Sequence, residues 1–337
     1  MNIQRIRGTQ GAVKLVLSIF ILFITLSVAD AEPVKFVDHS WESIQVHNRI
    51  AGFILEHGFE KEVSYTFAET MPGLLGLAKG DVDVIMEGWT DNFHEWWQDA
   101  VKKDLVYDAG NIFPDAPQGW YVPAYVINGD DSRGIDAVAP DLSNVSDLKK
   151  YWELFEDQSK PGKGRLYNGP SGWMVHTINL KKIKAYGLDD LLHSFDAGSQ
   201  TALAAAIAGA YEKGEPVLAY YWEPTAIMGK YDMVKLEEPP YDAEAWDKNF
   251  GCAHPPADVV IILNAEFAKE NPEIKDFFNR YESTLSQTNK ALAYMSDNDT
   301  TPRETAVWFL KGSLDTWSKW VNDPEKISRI KEALNAR

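Results

Sequence analysis

The 337 residues contain one cysteine, Cys252, so no internal disulfide can form. Its surroundings, Gly251-Cys252-Ala253-His254, are too sparse in ligands for a metal site, and a buried structural thiol is expected. Basic residues are scarce as well, with 33 Lys and Arg against 50 Asp and Glu and a formal charge of −17. A surface so acidic argues against a nucleic-acid partner, because phosphate binding rests on Lys and Arg. Familiar catalytic signatures are missing too. His94-Glu95-Trp96-Trp97-Gln98 starts like a zinc-protease helix but carries Gln where the second His belongs. Gly162-Lys163-Gly164-Arg165 lacks the Gly-Lys-Ser/Thr ending of a phosphate loop, and no Gly-x-Ser-x-Gly elbow occurs.

Long hydrophobic runs are also absent. The apolar run Leu15 to Val28 is 14 residues, short of the about 20 needed to span a bilayer. Arg5, Arg7 and Lys14 precede it and Ala29-Asp30-Ala31 follows, so residues 1–31 resemble a secretory signal peptide cleaved before Glu32. With no Cys at that position to carry a lipid, a free periplasmic protein of a Gram-negative bacterium is expected. Losing three basic residues and Asp30 takes the charge from −17 to −19.

What is present is a soluble composition, 45% hydrophobic and 25% charged, in a chain long enough for about two domains. Strand-like and helix-like segments alternate from Val34 onward. Val34 to Val37, Glu62 to Phe67 and Asp81 to Glu87 read as strands, separated by helices that start near Ser40 or Ser43 and at Thr70 and stop at Gly58 and Gly80. Such alternation implies a parallel sheet with right-handed crossovers. Val106 to Pro123 is richer in turn residues. Tyr121 to Ile127 reads as an extended crossover into a second α/β unit, which contains strands at Arg165 to Tyr167 and Val217 to Tyr221 and an Ala-rich helix at Thr201 to Lys213. Asp258 to Asn264 reads as a buried strand returning to the first unit, and amphipathic helices follow. Trp308, Trp317 and Trp320 are expected to be core on those helices.

Asp81-Val-Asp-Val-Ile-Met-Glu-Gly-Trp89 carries the main functional signal. Its alternation predicts a strand with one face more buried, and Gly88 is expected to let the backbone turn and present Trp89. Trp41, Trp173 and Trp222 also follow predicted strands closely, two tryptophans in each unit. Ligands of open α/β sheets bind beyond the carboxyl ends of the strands. A box of indole faces suits a cation that cannot donate hydrogen bonds, each desolvated cation–π contact contributing about 2 kcal/mol. Trp120 and Tyr121 either complete the box or line the hinge. The helix after Trp41 and the segment Gly172-Trp173-Met174 offer backbone N–H groups for an anionic ligand tail. Glu87, Asp91 and Glu223 either favour a net positive ligand or are solvated or hinge-bonding residues.

Five motifs together resemble the substrate-binding proteins of ABC importers for glycine betaine, choline and related compatible solutes. They are Gly-Trp-Thr-Asp-Asn at 88–92, Gly-Trp-Tyr-Val-Pro at 119–123, Gly-Pro-Ser-Gly-Trp at 169–173, Trp-Glu-Pro at 222–224 and Gly-Lys-Tyr-Asp at 229–232. The resemblance implies the two-lobe α/β fold of periplasmic binding proteins, type II-like, each lobe a mainly parallel sheet flanked by helices, with a hinge and a ligand cleft. On this reading lobe I comprises 32–122 and 258–337, and lobe II comprises 123–257. Trp89, Trp173 and Trp222 look like the cage walls of betaine binders, and Trp41 like the extra wall of choline binders. Where many betaine binders have a His that helps hold the carboxylate, this chain has Thr225, whose hydroxyl donates one hydrogen bond but carries no charge. Met174 and Trp120 complete the expected ligand-binding set.

The implied function is a periplasmic receptor, not an enzyme, that takes glycine betaine, or alternatively choline, trimethylamine N-oxide or dimethylsulfoniopropionate. It is expected to act as a monomer without cofactor or metal and to deliver its ligand to an ABC permease and its ATPase. The alternatives are a secreted enzyme acting on a small methylated amine, with His39, His94 and His176 as acid/base groups, and a sugar receptor that stacks indoles on pyranose rings.

Overall fold

The computed structural model describes residues 32–255 and 257–337. The expected signal peptide, residues 1–31, lies outside the described residues. No helix among the described residues is long and apolar enough to cross a membrane.

Ten strands form two five-stranded sheets. The first has the order β2-β1-β3-β10-β4, from Val34–Asp38 (β1), Val63–Phe67 (β2), Val84–Trp89 (β3), Val106–Ala116 (β4) and Ala257–Asn264 (β10). The second has the order β7-β6-β8-β5-β9, from Gln118–Pro123 (β5), Gly164–Asn168 (β6), Leu192–Asp196 (β7), Leu218–Trp222 (β8) and Met233–Lys235 (β9). Each sheet is mixed. β1 runs parallel to β2 and β3, and β6 to β7 and β8, whereas β10 and β5 lie antiparallel to both of their neighbours. The antiparallel strands are those that carry the chain between the lobes. Each is reached from a strand of the other sheet rather than by a βαβ crossover within its own, so the rule that ties βαβ alternation to parallel pairing does not reach them.

The chain changes sheets at Pro117, between β4 and β5, earlier than the expected boundary after 122. Tyr121 to Ile127 is therefore not one extended crossover. It closes β5 and then enters the short helix Ala124–Asn128. β4 is an edge strand, which tolerates the Gly110 and Pro114 that made this stretch read as turns. Its pairing with β10 shifts register three times.

β3 is buried along its whole length and on both faces, because helices cover the sheet. Gly88 is not a turn. The strand continues through it to Trp89, and a Cβ at Gly88 would lie 2.3 Å from Ile262 Cδ1 and 3.2 Å from the Val260 carbonyl oxygen on β10. The missing side chain thus lets β10 approach β3.

Helix Glu42–Gly58 covers the first sheet and packs against the carboxyl-terminal helices Pro302–Gly312 and Pro324–Asn335. Trp317 and Trp320 are fully buried there, as expected. Trp308 is not core. It is 39% exposed and stacks on Tyr294 with ring centroids 4.2 Å apart. Helix Leu285–Asn298 reaches across to helix Ala226–Lys230 of the second lobe.

Overpacking a close strand–strand contact typically costs about 1–3 kcal/mol. Gly88→Ala is expected to destabilise the protein by that amount, read as a lower denaturant midpoint at unchanged slope. An unchanged midpoint would contradict the close approach of β10.

Candidate ligand-binding site

The carboxyl ends of β1, β3, β6 and β8 meet at one cavity between the two sheets. Trp41, Trp89, Trp173 and Trp222 all line it, together with Met174, and it encloses about 510 Å³ including its mouth. Trp89 and Trp222 are the last residues of β3 and β8. Trp41 and Trp173 occupy the cap positions of helices Glu42–Gly58 and Met174–Ala185 in extended backbone, which projects them away from the helices they precede.

Three of the rings form a continuous edge-to-face series. Trp41 and Trp173 have centroids 5.6 Å apart at 82°, and Trp173 and Trp222 have centroids 4.9 Å apart at 82°. In such contacts the edge of one indole rests on the face of its neighbour, so the three rings brace one another. His39 stacks behind Trp41 at 4.5 Å, and Tyr220 stacks on Trp222 at 6.0 Å. His39 Nδ1–H donates to the Ala68 carbonyl at 2.6 Å, and burial pushes its pKa down to about 4. It is therefore a neutral wall at physiological pH.

Hydrogen bonds fix the indoles. Trp41 Nε1 donates to Glu87 Oε2 at 2.8 Å, and Ser43 Oγ donates to the same oxygen at 3.0 Å. Trp173 Nε1 donates to Ser40 Oγ at 2.8 Å, and Ser40 in turn donates to Glu69 Oε2 at 3.2 Å. Ser40 and Ser43 thus serve the tryptophans, and neither caps helix Glu42–Gly58 as expected from sequence. Glu87 is buried rather than solvated, and burial pushes its carboxyl up to about 7 against the lowering effect of the Trp41, Ser43 and Trp89 side chains. Asp91 is raised to about 6 by burial and lines an adjoining outer pocket with Trp96, Trp246 and Phe250.

The lobes touch directly around the cavity. Besides the Trp173–Ser40 bond, the Glu42 backbone N–H donates to Gln200 Oε1 at 2.7 Å, and Gln200 Nε2 returns a bond to Glu42 Oε2 at 3.2 Å. Gly172 lies so close to Glu69 that a Cβ would stand 2.6 Å from its Cγ. The structure is a closed form.

Two expected site residues lie elsewhere. Trp120 is fully buried behind the cavity, its indole N–H donating to Asn179 Oδ1 at 2.8 Å and its ring set edge-on to Tyr186. Thr225 is buried with Oγ1 accepting the Met228 backbone N–H at 3.2 Å, so the hydroxyl caps helix Ala226–Lys230. Neither lines the cavity. Conversely, Tyr220, Phe93 and Asn92 line it without having been singled out. The Asn92 in the Gly-Trp-Thr-Asp-Asn motif was the available signal. Among the described residues no group of His, Cys, Asp and Glu is arranged to hold a metal ion.

A family model described as the substrate binding domain of ABC-type glycine betaine transport systems matches residues 32–312. The glycine betaine-binding periplasmic protein OusX of Dickeya dadantii is 24% identical over 233 residues, spanning 64% of this chain and 66% of the relative, just under two thirds of its length. The glycine betaine/proline betaine-binding periplasmic protein of Salmonella typhimurium is 22% identical over 280 residues, 79% of each chain. A solved ABC-transporter choline binding protein in complex with choline superposes with a TM-score of 0.72 at 16% identity, covering 90% of this chain and 98% of that one. That likeness is one of fold.

Gln200→Ala removes both bonds to Glu42. At about 1 kcal/mol each, their loss should lower the closed-to-open ratio by about thirtyfold. Small-angle scattering of the ligand-free protein is expected to show a larger radius of gyration for the variant. Identical scattering from wild type and variant would mean that this contact does not hold the lobes together.

Proposed function

The chain belongs to the family of substrate-binding domains of ABC-type glycine betaine transport systems, a family of binding proteins rather than enzymes, and from that premise we propose that it is a periplasmic receptor for a fully methylated ammonium compound. The observation that carries this reading is the convergence of four indoles from both lobes on one cavity. A quaternary ammonium presents methyl groups of slightly positive charge and no hydrogen-bond donor. Indole faces offset the cost of stripping water from such a group, and no neutral hydrophobic wall does so equally well.

Closure follows from the same geometry. Trp41 and Trp89 belong to one lobe, Trp173 and Trp222 to the other, so a ligand in the cavity contacts both. Only a ligand with higher affinity for the closed form shifts the population toward it. The closed protein then presents a composite surface, made from both lobes, to an ABC permease and its ATPase. Removal of residues 1–31 as a signal peptide places the mature receptor in the periplasm, in keeping with the periplasmic relatives named above.

Glycine betaine is the ligand that the family description suggests. A second reading, a methylated amine without a carboxylate such as choline or trimethylamine N-oxide, is supported by the lining. None of the lining residues is Lys or Arg, and the Thr225 hydroxyl points elsewhere. A sugar is less well served, because the lining offers few side-chain amides and hydroxyls for a ring of hydroxyl groups.

Titration calorimetry of the mature protein against glycine betaine, choline, trimethylamine N-oxide, dimethylsulfoniopropionate and a neutral sugar tests the proposal. Tight binding of at least one methylated onium compound, and none of the sugar, is expected. Trp89→Ala should weaken it about thirtyfold, from the loss of about 2 kcal/mol of cation–π attraction. Trp308→Ala, far from the cavity lining, should leave it unchanged. Silence toward every onium compound would overturn the reading.

A further inference from the structure

Glu87 differs from the other acidic side chains near the cavity in that its unpartnered oxygen is buried. Oε2 takes both donors, Trp41 Nε1 and Ser43 Oγ. Oε1 is buried with no partner at hydrogen-bonding geometry in the protein, although the Trp89 indole stands close enough to lower the pKa of the carboxyl. Glu87 and Trp89 are two residues apart on β3 and share one face of the strand, and both line the tryptophan cavity. Buried polar atoms are nearly always satisfied, and an orphaned carboxyl oxygen in a ligand cavity points to a partner supplied by the ligand.

We propose that Glu87 is a specificity-determining residue whose free oxygen faces the bound ligand as its counter-ion, so that the site prefers a net cationic methylated amine with a hydroxyl tail, such as choline, to a carboxylate-bearing zwitterion such as glycine betaine. The proposal rests on the methylated-amine reading and adds the choice of tail to it. An ionised Glu87 balances the ammonium charge and accepts the hydroxyl hydrogen. A ligand carboxylate in the same small box would instead meet a like charge. The bond from Trp41 couples the two functions, because the indole that walls the cation also orients the carboxyl.

The arrangement makes binding pH-dependent. In the empty protein burial holds Glu87 near 7. The titratable groups around it are His39, stacked on Trp41, the buried Tyr281 hydroxyl, and His47, whose Nδ1 lies 2.8 Å from that hydroxyl. Burial pushes His39 down to about 4 and His47 to about 3, and it holds Tyr281 well above its ordinary value. None of these three changes charge between pH 5 and 8. Asp91, raised to about 6, titrates in that range but lines the outer pocket. A cation against Oε1 favours the ionised form and lowers the Glu87 pKa in the complex. Affinity is therefore full above the empty-state pKa and falls as pH drops below about 7, with a proton released on binding.

The test is calorimetry of the mature protein with choline and with glycine betaine, between about pH 5.5 and 8.5, in two buffers of different ionisation enthalpy. Choline affinity of the wild type should fall about tenfold per pH unit below about 7, with buffer-dependent heat. Asp91→Asn should keep that profile. Glu87→Gln should bind choline at least about tenfold more weakly at high pH, lose both the profile and the proton release, and lose most of the preference for choline over glycine betaine. Should Glu87→Gln fail to fold, Ser43→Ala removes one donor from Oε2 and should move the midpoint of the profile to higher pH. A flat profile, affinity that rises on acidification, preference for glycine betaine, a preference retained in Glu87→Gln or a midpoint unmoved in Ser43→Ala would each overturn the role of Glu87 and leave the methylated-amine reading standing. Absence of binding by every methylated amine would overturn both.

Discussion

The hydrogen bond from Trp41 Nε1 to Glu87 joins the start of a helix to the end of a central strand, and the cavity is built around it. An indole beside an open cavity tends to collapse into it, because that buries apolar surface. Its one polar atom gives the protein a directional handle on the ring, beside the stacking of His39 on Trp41 and Tyr220 on Trp222. Glu87 provides the acceptor for Trp41, Ser40 provides it for Trp173, and each bond fixes a ring plane. Trp173 then stands perpendicular to both Trp41 and Trp222. A buried carboxyl is a costly acceptor, and the buried Glu87, with its raised pKa, is where that cost is visible.

The same residues tie ligand recognition to lobe closure. Trp173 belongs to the second lobe, yet its N–H is satisfied by Ser40 of the first, so the ring is fully positioned only when the lobes meet. Glu42 and Gln200 exchange bonds a few residues away. On the proposed reading, recognition and closure draw on one set of contacts, and a ligand that completed the box would also favour the closed form. The chain passes between the sheets at Pro117, from β4 to β5, and again before β10.

Much of this was legible in the residues. Strand and helix alternation located β1, β2, β3, β6, β8 and β10, and four tryptophans at strand ends marked the cavity. What escaped had physical reasons. β4 reads as turns because an edge strand tolerates glycine, proline and register shifts that a central strand does not. Glu87 reads as half-exposed because alternation assumes one wet face, whereas β3 is covered on both. Trp120 and Thr225 lie in the right motifs, but the Asn179 amide and the Met228 N–H claim their polar atoms away from the cavity. Trp308 has the helical spacing of a core residue and the exposure of a surface one, since sequence period does not reveal which face finds a partner.

Whether the four indoles enclose a methylated ammonium is decided by a crystal structure of the mature protein grown with a saturating trimethylammonium ligand. Ligand density bounded by Trp41, Trp89, Trp173 and Trp222 is expected, with methyl groups over the indole faces and the Trp41–Glu87 bond intact. A ligand bound outside that box, or four indoles collapsed together with the ligand excluded, would contradict such enclosure.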